Sequence, residues 1–286
     1  MTKIYSACAL IFLLPSLAFA GDFERGVEAL DKKDYDVAIA CFTACIRDNP
    51  RSAEAFYNRG IANINKNEYH KGIEDYSEAI RLAPEDAKAY YNRGTAYYHQ
   101  KKYDKAIEDY SQTIRLNPKF AAASYNNRGL AYTYKNEDDK AIEDYSQAIR
   151  LDPKYAKAFY NRGNVYRVKH EYDKTIDDYS QAIRLDPNYV AAHNSLATVL
   201  ATCPKEGVRD GKTAVEHATK ACELTQWMNA NILDTLAAAH AENGNFKEAV
   251  KRQQEAIEIG YGDKEDLKKA RQRLKQYQEG KPYRDE

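Results

Sequence analysis

The feature that most constrains this chain is a glycine that keeps coming back. Gly26, Gly60 and Gly94 are 34 residues apart, Gly129 follows by 35 and Gly163 by 34 again. Other columns keep the same step. Prolines stand at Pro50, Pro84, Pro118, Pro153 and Pro187, and aromatics at Phe42, Tyr76, Tyr110, Tyr145 and Tyr179. Small residues recur at Cys45, Ala79, Thr113, Ala148 and Ala182. Self-similarity at a fixed period of this length marks stacked repeats, in which each unit buries its apolar face against its neighbours. The tetrapeptide YNRG at residues 57–60, 91–94 and 160–163, with NNRG at 126–129, has residue types suited to a catalytic loop. A catalytic centre is built once, so the recurrence points to architecture.

Each unit reads as two helices. Phe56, Gly60 and Asn63 share one helical stripe; Gly72, Tyr76, Ala79 and Ile80 form another after a break at residues 66–68. Pro84 closes the second helix, because proline cannot continue the backbone bonding. Glycine inside a helix costs about 1 kcal/mol, so Gly60, Gly94, Gly129 and Gly163 are expected to be notches that receive the large tyrosines of the partner helix.

Tyr90, Gly94, Tyr97, Ala106, Tyr110 and Pro118, with Thr113 in a place usually held by Ala, carry a close resemblance to the tetratricopeptide repeat family. The resemblance covers nearly all of residues 21–260. It implies an all-α, right-handed superhelical solenoid of about seven helix pairs, with a concave groove lined by the first helices. The ends depart from the pattern. After Pro187 the glycine column becomes Ala197 and then Ala237, a gap of 40, and the extra residues fall in a polar loop at 201–212. Asn243-Gly244 supplies the turn of the seventh unit. Residues 264–278 read as a terminal helix with Leu267, Ala270, Leu274 and Tyr277 on one face, covering the last apolar surface within the segment 261–286.

Residues 1–20 read as a signal peptide: Lys3 is the positive end, residues 4–17 are apolar, and Ala18-Phe19-Ala20 is the small-x-small cleavage site before Gly21. An uncleaved membrane anchor over residues 4–20 is the rival, but that run is short for a span and contains Pro15. Cleavage predicts a periplasmic or secreted chain that does not stay in the membrane. The 43 basic and 43 acidic residues become a net charge of −1 once residues 1–20, with their single lysine, are removed. That balance gives no electrostatic reason to expect nucleic acid or an anionic membrane surface as partner.

The titratable residues do not assemble into a reaction centre on paper. His70, His99, His170, His193, His217 and His240 lie at no metal-ligand spacing, and no phosphate-binding glycine loop or serine elbow occurs. No cofactor and no metal are expected. Acidic pairs recur once per unit at Glu74-Asp75, Glu108-Asp109 and Glu143-Asp144; neighbours on a helix diverge by about 100°, which suits arginine pairing better than proton sharing. Arg59, Arg93, Arg128 and Arg162 stand where the family usually has Leu, in register with those acids. They predict a ladder of arginine–carboxylate pairs, with a row that binds acidic ligands as the rival.

Asn58, Asn92, Asn127 and Asn161 sit one residue away, on the stripe that the resemblance turns to the groove. Tyr57, Tyr91, Asn126, Tyr160 and Asn194 border it. Some family members hold a peptide carboxylate there with Asn, Lys and Arg. Lys88 and Lys157 are near, but Tyr57, Asn92 and Asn161 fill the other basic places, so that clamp is incomplete. The expected function is a non-catalytic scaffold that binds a protein or peptide in the groove, with the asparagines facing water in the free chain. The alternative is self-association into a homo-oligomer through the repeat ends or the groove, and an enzyme centred on the 201–212 loop is remote. The cysteines beyond residue 20, Cys41, Cys45, Cys203 and Cys222, are expected to be reduced and packed as small apolar groups. Cys203 falls near the end of a first helix, and the helical rise sets Cys222 roughly 15 Å from the level of the turn, beyond disulfide reach unless the long loop folds back.

Overall fold

A computed structural model describes residues 14–285, with side chains from Gly21 onward. The expected signal at residues 1–20, its cleavage site included, lies outside the side chains described. Fifteen α-helices and two short 3-10 turns account for the regular structure, with no strand among the described residues. None of the described helices is long and apolar enough to cross a membrane. The chain divides into two compact units, Met1–Leu151 and Asp152–Glu286.

The first unit holds four helix pairs: α1 (Leu14–Asp31) with α2 (Tyr35–Asp48), α3 (Ala53–Asn65) with α4 (Tyr69–Leu82), α5 (Ala87–His99) with α6 (Tyr103–Leu116), and α7 (Ala121–Tyr134) with α8 (Asp138–Leu151). The second holds three pairs, α9 (Ala156–Val168) with α10 (Tyr172–Leu185), α11 (Val190–Thr202) with α12 (Gly211–Leu224), and α13 (Ala230–Glu242) with α14 (Phe246–Ile259). It ends in α15 (Lys264–Gln278), packed on α14. Side-chain caps open many of these helices: Asp34 accepts from the Val37 amide, Ser52 from Ala55 and Asn245 from Glu248. Within a pair, the chain reverses through one left-handed residue at Lys33, Asn67, Lys101, Asn136, His170 or Gly244.

The notch expected at the glycine column is present. A Cβ built on Gly60, Gly129 or Gly163 would stand 2.8, 2.8 or 2.9 Å from the ring of Tyr76, Tyr145 or Tyr179. These tyrosines and Tyr110 are buried, and three of them place the hydroxyl on a polar group of the facing first helix. Tyr110 donates to Thr95, Tyr145 lies 3.1 Å from Thr133 Oγ1, and Tyr179 donates to Asn164 at 2.6 Å. The loop expected at residues 201–212 is shorter than the sequence suggested. Ala201 and Thr202 continue α11, Gly211 opens α12, and the Asp210 amide folds back onto the Leu200 carbonyl.

All four described cysteines are buried free thiols. Burial raises Cys45, and pushes Cys222 up to about 12.

The notch separates two outwardly similar substitutions. At Gly94 an added methyl meets Asp109 Cβ at 3.1 Å, a gap that small shifts open. The gain of about 1 kcal/mol in helix propensity then makes Gly94→Ala nearly neutral. Gly129→Ala drives the methyl into the Tyr145 ring and is expected to cost about 1–3 kcal/mol net. Urea unfolding of the two variants, followed by circular dichroism, checks the order.

Candidate functional site

Two rows of polar side chains run along the first helices, and the fold treats them differently. The arginine row faces the second helices. Arg59 on α3 grips Asp75 on α4, with Nη2 2.7 Å from Oδ1; Arg93 grips Asp109 through Nε and Nη2 at 2.9 and 2.8 Å. Arg128 and Asp144 repeat this at 2.8 and 2.8 Å, and in the second unit Arg162 and Asp178 do the same. The remaining arm reaches the preceding pair: Nη1 of Arg59, Arg93 and Arg128 donates to Thr43, Ser77 and Ser111. The guanidinium planes lie over aromatic rings, Arg93 at 5.7 Å from Tyr90 and Arg128 at 5.3 Å from Tyr125. Each acidic doublet is split: the aspartate is buried, while Glu74, Glu108 and Glu143 are exposed. Burial holds the carboxyls of Asp109, Asp144 and Asp178 above the usual range even against the facing guanidinium. The arginine donors are therefore committed to the stack, as the ladder reading expects.

Removing one partner leaves a buried charge alone. Arg128→Ala is expected to destabilise the chain by about 3–5 kcal/mol, and the double variant Arg128→Leu/Asp144→Leu to recover most of that loss. A double-mutant cycle by urea denaturation measures both numbers.

The asparagine row differs from expectation. In the first unit Asn92 Nδ2 donates to the Tyr57 hydroxyl of the preceding pair at 2.9 Å, and Asn127 donates to Tyr91 at 2.9 Å. Asn126 is buried and donates to Asn127 Oδ1 at 3.1 Å. These amides do not stand free in water, and Asn126 is withdrawn from the surface. The reason is reach: a tyrosine on one first helix spans to the next and offers its hydroxyl at the height of the following asparagine. Tyr57 and Tyr91 also lean on Tyr76 and Tyr110, at 5.8 Å between centroids in both cases. Asn58 and Asn161 are half-buried on α3 and α9. In the second unit Tyr160 lies 3.5 Å from Ser195 Oγ and packs on Tyr179 and Tyr189, while Asn194 Oδ1 is buried with no hydrogen-bond partner.

Beside Asn127 the first unit opens a cavity of about 150 Å³, lined by Thr95, Tyr98, His99, Tyr110, Asn127 and Leu130. Sequence reasoning missed Tyr98 and Leu130 as part of the site. Both were readable one helical turn or so from the named column, Leu130 three residues after Asn127 and Tyr98 seven after Tyr91.

A histidine pair was also missed. His193 on α11 and His217 on α12 bring their Nδ1 atoms to 3.0 Å, and His193 Nε2 lies 3.2 Å from the Pro187 carbonyl oxygen. No group of three or more His, Cys, Asp or Glu suited to a metal occurs among the described residues. The two-nitrogen contact requires one ring to donate and the other to accept, so the accepting ring is neutral and the pair cannot hold a proton on all four nitrogens. Burial lowers both histidines, with Lys220 adding to the effect on His193 and the His193 charge adding to that on His217. Above the unfolded value near ~6.5 both states are neutral and stability is full. As pH falls below it, the unfolded chain takes up protons that the folded pair resists, and stability declines until the folded values are passed. The urea midpoint is expected to drop between pH 7 and pH 5, with a smaller drop in His217→Gln.

Family models match most of the chain. Models described as tetratricopeptide repeat match residues 23–70, 87–120, 156–189 and 229–260, and one described as TPR repeat matches 64–101 and 129–169. No curated protein matches. Among solved structures, the MamA protein aligns at 25% identity with a TM-score of 0.56, covering 60% of this chain and 94% of that one. A tetratricopeptide repeat protein from Parabacteroides merdae ATCC 43184 aligns at 17% identity and TM-score 0.61, covering 92% and 99%. YrrB, a TPR protein with an unusual peptide-binding site, aligns at 20% identity and TM-score 0.54, covering 62% and 97%.

Proposed function

Because this chain belongs to the tetratricopeptide repeat family, an all-α solenoid built for protein interaction, we propose that it binds an extended polypeptide along the face of its first helices. The observation that carries this is in the first unit. The Tyr57–Asn92 and Tyr91–Asn127 contacts preorganise a row of amides and hydroxyls, and the 150 Å³ cavity beside Asn127 offers a socket for one side chain of a ligand. Fixed amides pair with a peptide backbone at low ordering cost, and tyrosines supply contact area. Tyr160, Asn161 and Asn194 extend the proposal to the second unit. The reading includes export of the chain by residues 1–20, with work outside the cytoplasm.

Panning a displayed library of extended peptides tests the binding reading. Asn92→Ala/Asn127→Ala is expected to weaken the selected binders at least tenfold, since each lost amide leaves a backbone group unpaired at about 1–3 kcal/mol. Loss of the two tyrosine contacts is expected to lower stability by only about 1 kcal/mol each, leaving the helical spectrum intact. Binders indifferent to this double change, and to Leu130→Glu in the cavity wall, would place recognition elsewhere.

A further inference from the structure

The segment after α15 turns back into its own unit. Gly280, at φ +71°, reverses the chain, and the Lys281 amide closes on the Gln276 carbonyl. Tyr283, Arg284 and Asp285 then cross α11 and α13. The Asp285 amide donates to the Thr202 carbonyl at 2.9 Å, and the Thr202 hydroxyl donates to Asp285 Oδ2 at 2.6 Å. The Arg284 guanidinium stands 2.6 Å from Glu242 Oε2, an ion pair off the hydrogen-bond direction. The Tyr283 ring packs on the core of the unit under the Arg273 guanidinium, 5.4 Å from its centre, and Asp234 on α13 holds that guanidinium at 2.8 and 3.0 Å.

The repeat register identifies the surface beneath this segment. Asp234 stands three residues before Ala237 of the notch column, the place that Tyr57, Tyr91, Tyr160 and Asn194 hold before Gly60, Gly94, Gly163 and Ala197. Thr202 and Glu242 stand five residues after Ala197 and Ala237, where His99 follows Gly94 and lines the cavity of the first unit. The segment therefore lies on the face proposed above as the binding surface. Its other side is open: a cavity of about 690 Å³ separates it from α15, with Lys269, Gln272, Arg273 and Gln276 on one wall and the segment on the other. One backbone hydrogen bond and three side chains hold it down.

We infer that residues 282–285 are an internal occupant of the second unit's binding face. That face recognises an extended peptide presenting an aromatic, a basic and an acidic side chain in succession, and such a peptide binds by displacing the segment. This rests on the groove reading above and specifies its ligand and its regulation. A tethered occupant competes at an effective concentration in the millimolar range for short linkers, so even a weak contact suppresses peptides offered in solution.

The test uses the full chain and a labelled peptide of residues 279–286, acetylated and amidated, in fluorescence anisotropy titrations. Tyr283→Ser/Arg284→Glu detaches the segment by removing the ring and setting an acid against Glu242. This variant is expected to bind the peptide at least tenfold more tightly than the unmodified chain, and a peptide carrying Glu in place of Arg284 is expected to bind neither. Equal affinities, or no binding by a variant of unchanged helicity, overturn the inference. A second measurement needs no variant: saturating unlabelled peptide is expected to speed hydrogen exchange of the Asp285 amide at least tenfold in the unmodified chain, and unchanged protection overturns the inference. If these arms fail while library peptides still depend on Asn92 and Asn127, the groove reading stands and only the internal occupant is rejected.

Discussion

The stack depends on a half-buried guanidinium that has to be satisfied from two sides. Arg93 spends Nε and Nη2 on Asp109 of its own pair and Nη1 on Ser77 of the pair before it. Arg128 does the same with Asp144 and Ser111. One side chain thus fixes both the packing within a pair and the register between pairs. An apolar residue in its place would pack at many sliding positions, whereas a planar fork with directed donors accepts few. Such ion pairs add little net stability over well-packed apolar groups, because desolvation offsets most of the attraction. Their contribution here is geometric, and it is made available by the glycine notch one residue away, which lets the helices approach closely enough for the fork to reach.

That dependence shows in how the columns change together. Where the arginine is present on α3, α5, α7 and α9, the second helix offers a buried aspartate followed by a buried tyrosine. On α11 and α13 the arginine place holds Leu196 and Leu236, both buried, and the aspartate place holds His217 and Arg252. The tyrosine place then holds Ala218 and Gln253, and the notch carries Ala197 and Ala237 instead of glycine. Smaller facing residues leave room for a Cβ, and an apolar residue needs no carboxylate. Arg25 on α1 is the informative exception. Its aspartate place holds Cys41, and the guanidinium, with no acid inside, stays exposed and turns to Asp22 on its own helix.

The parts legible in the sequence were those repeated in it. The period gave the helix pairs, the glycine column gave the tyrosine notch, and acids in register with arginines gave the ladder, including Asp75, Asp109 and Asp144 by number. Contacts that depend on the distance between helices were not legible. The tyrosine-to-asparagine hydrogen bonds join residues 35 or 36 apart, and nothing in the local pattern says that a hydroxyl reaches that far, so the asparagines looked free. His193 and His217 are 24 apart across the lengthened α11–α12 connection, where the period no longer predicts which positions face each other. The return of residues 282–285 onto Thr202 spans more than eighty residues and has no repeat to announce it.

The two units consequently satisfy the polar groups of their first helices in different ways. In the first, tyrosine and asparagine satisfy each other across neighbouring first helices and leave a cavity open beside them. In the second, the column runs from Tyr160 through Asn194 to Asp234 on α13, and Gln253, Tyr261 and Arg273 all converge on the Asp234 carboxylate. A carboxylate on that face needs cations, and α15 brings one; Arg273 in turn presents its plane to an aromatic ring, and Tyr283 supplies it. The charge placed by one substitution in the repeat column thus propagates outward through α15 to Tyr283 in the segment that follows it. An acid at that column position attracts basic and aromatic groups, and the nearest candidates are carried by the chain itself.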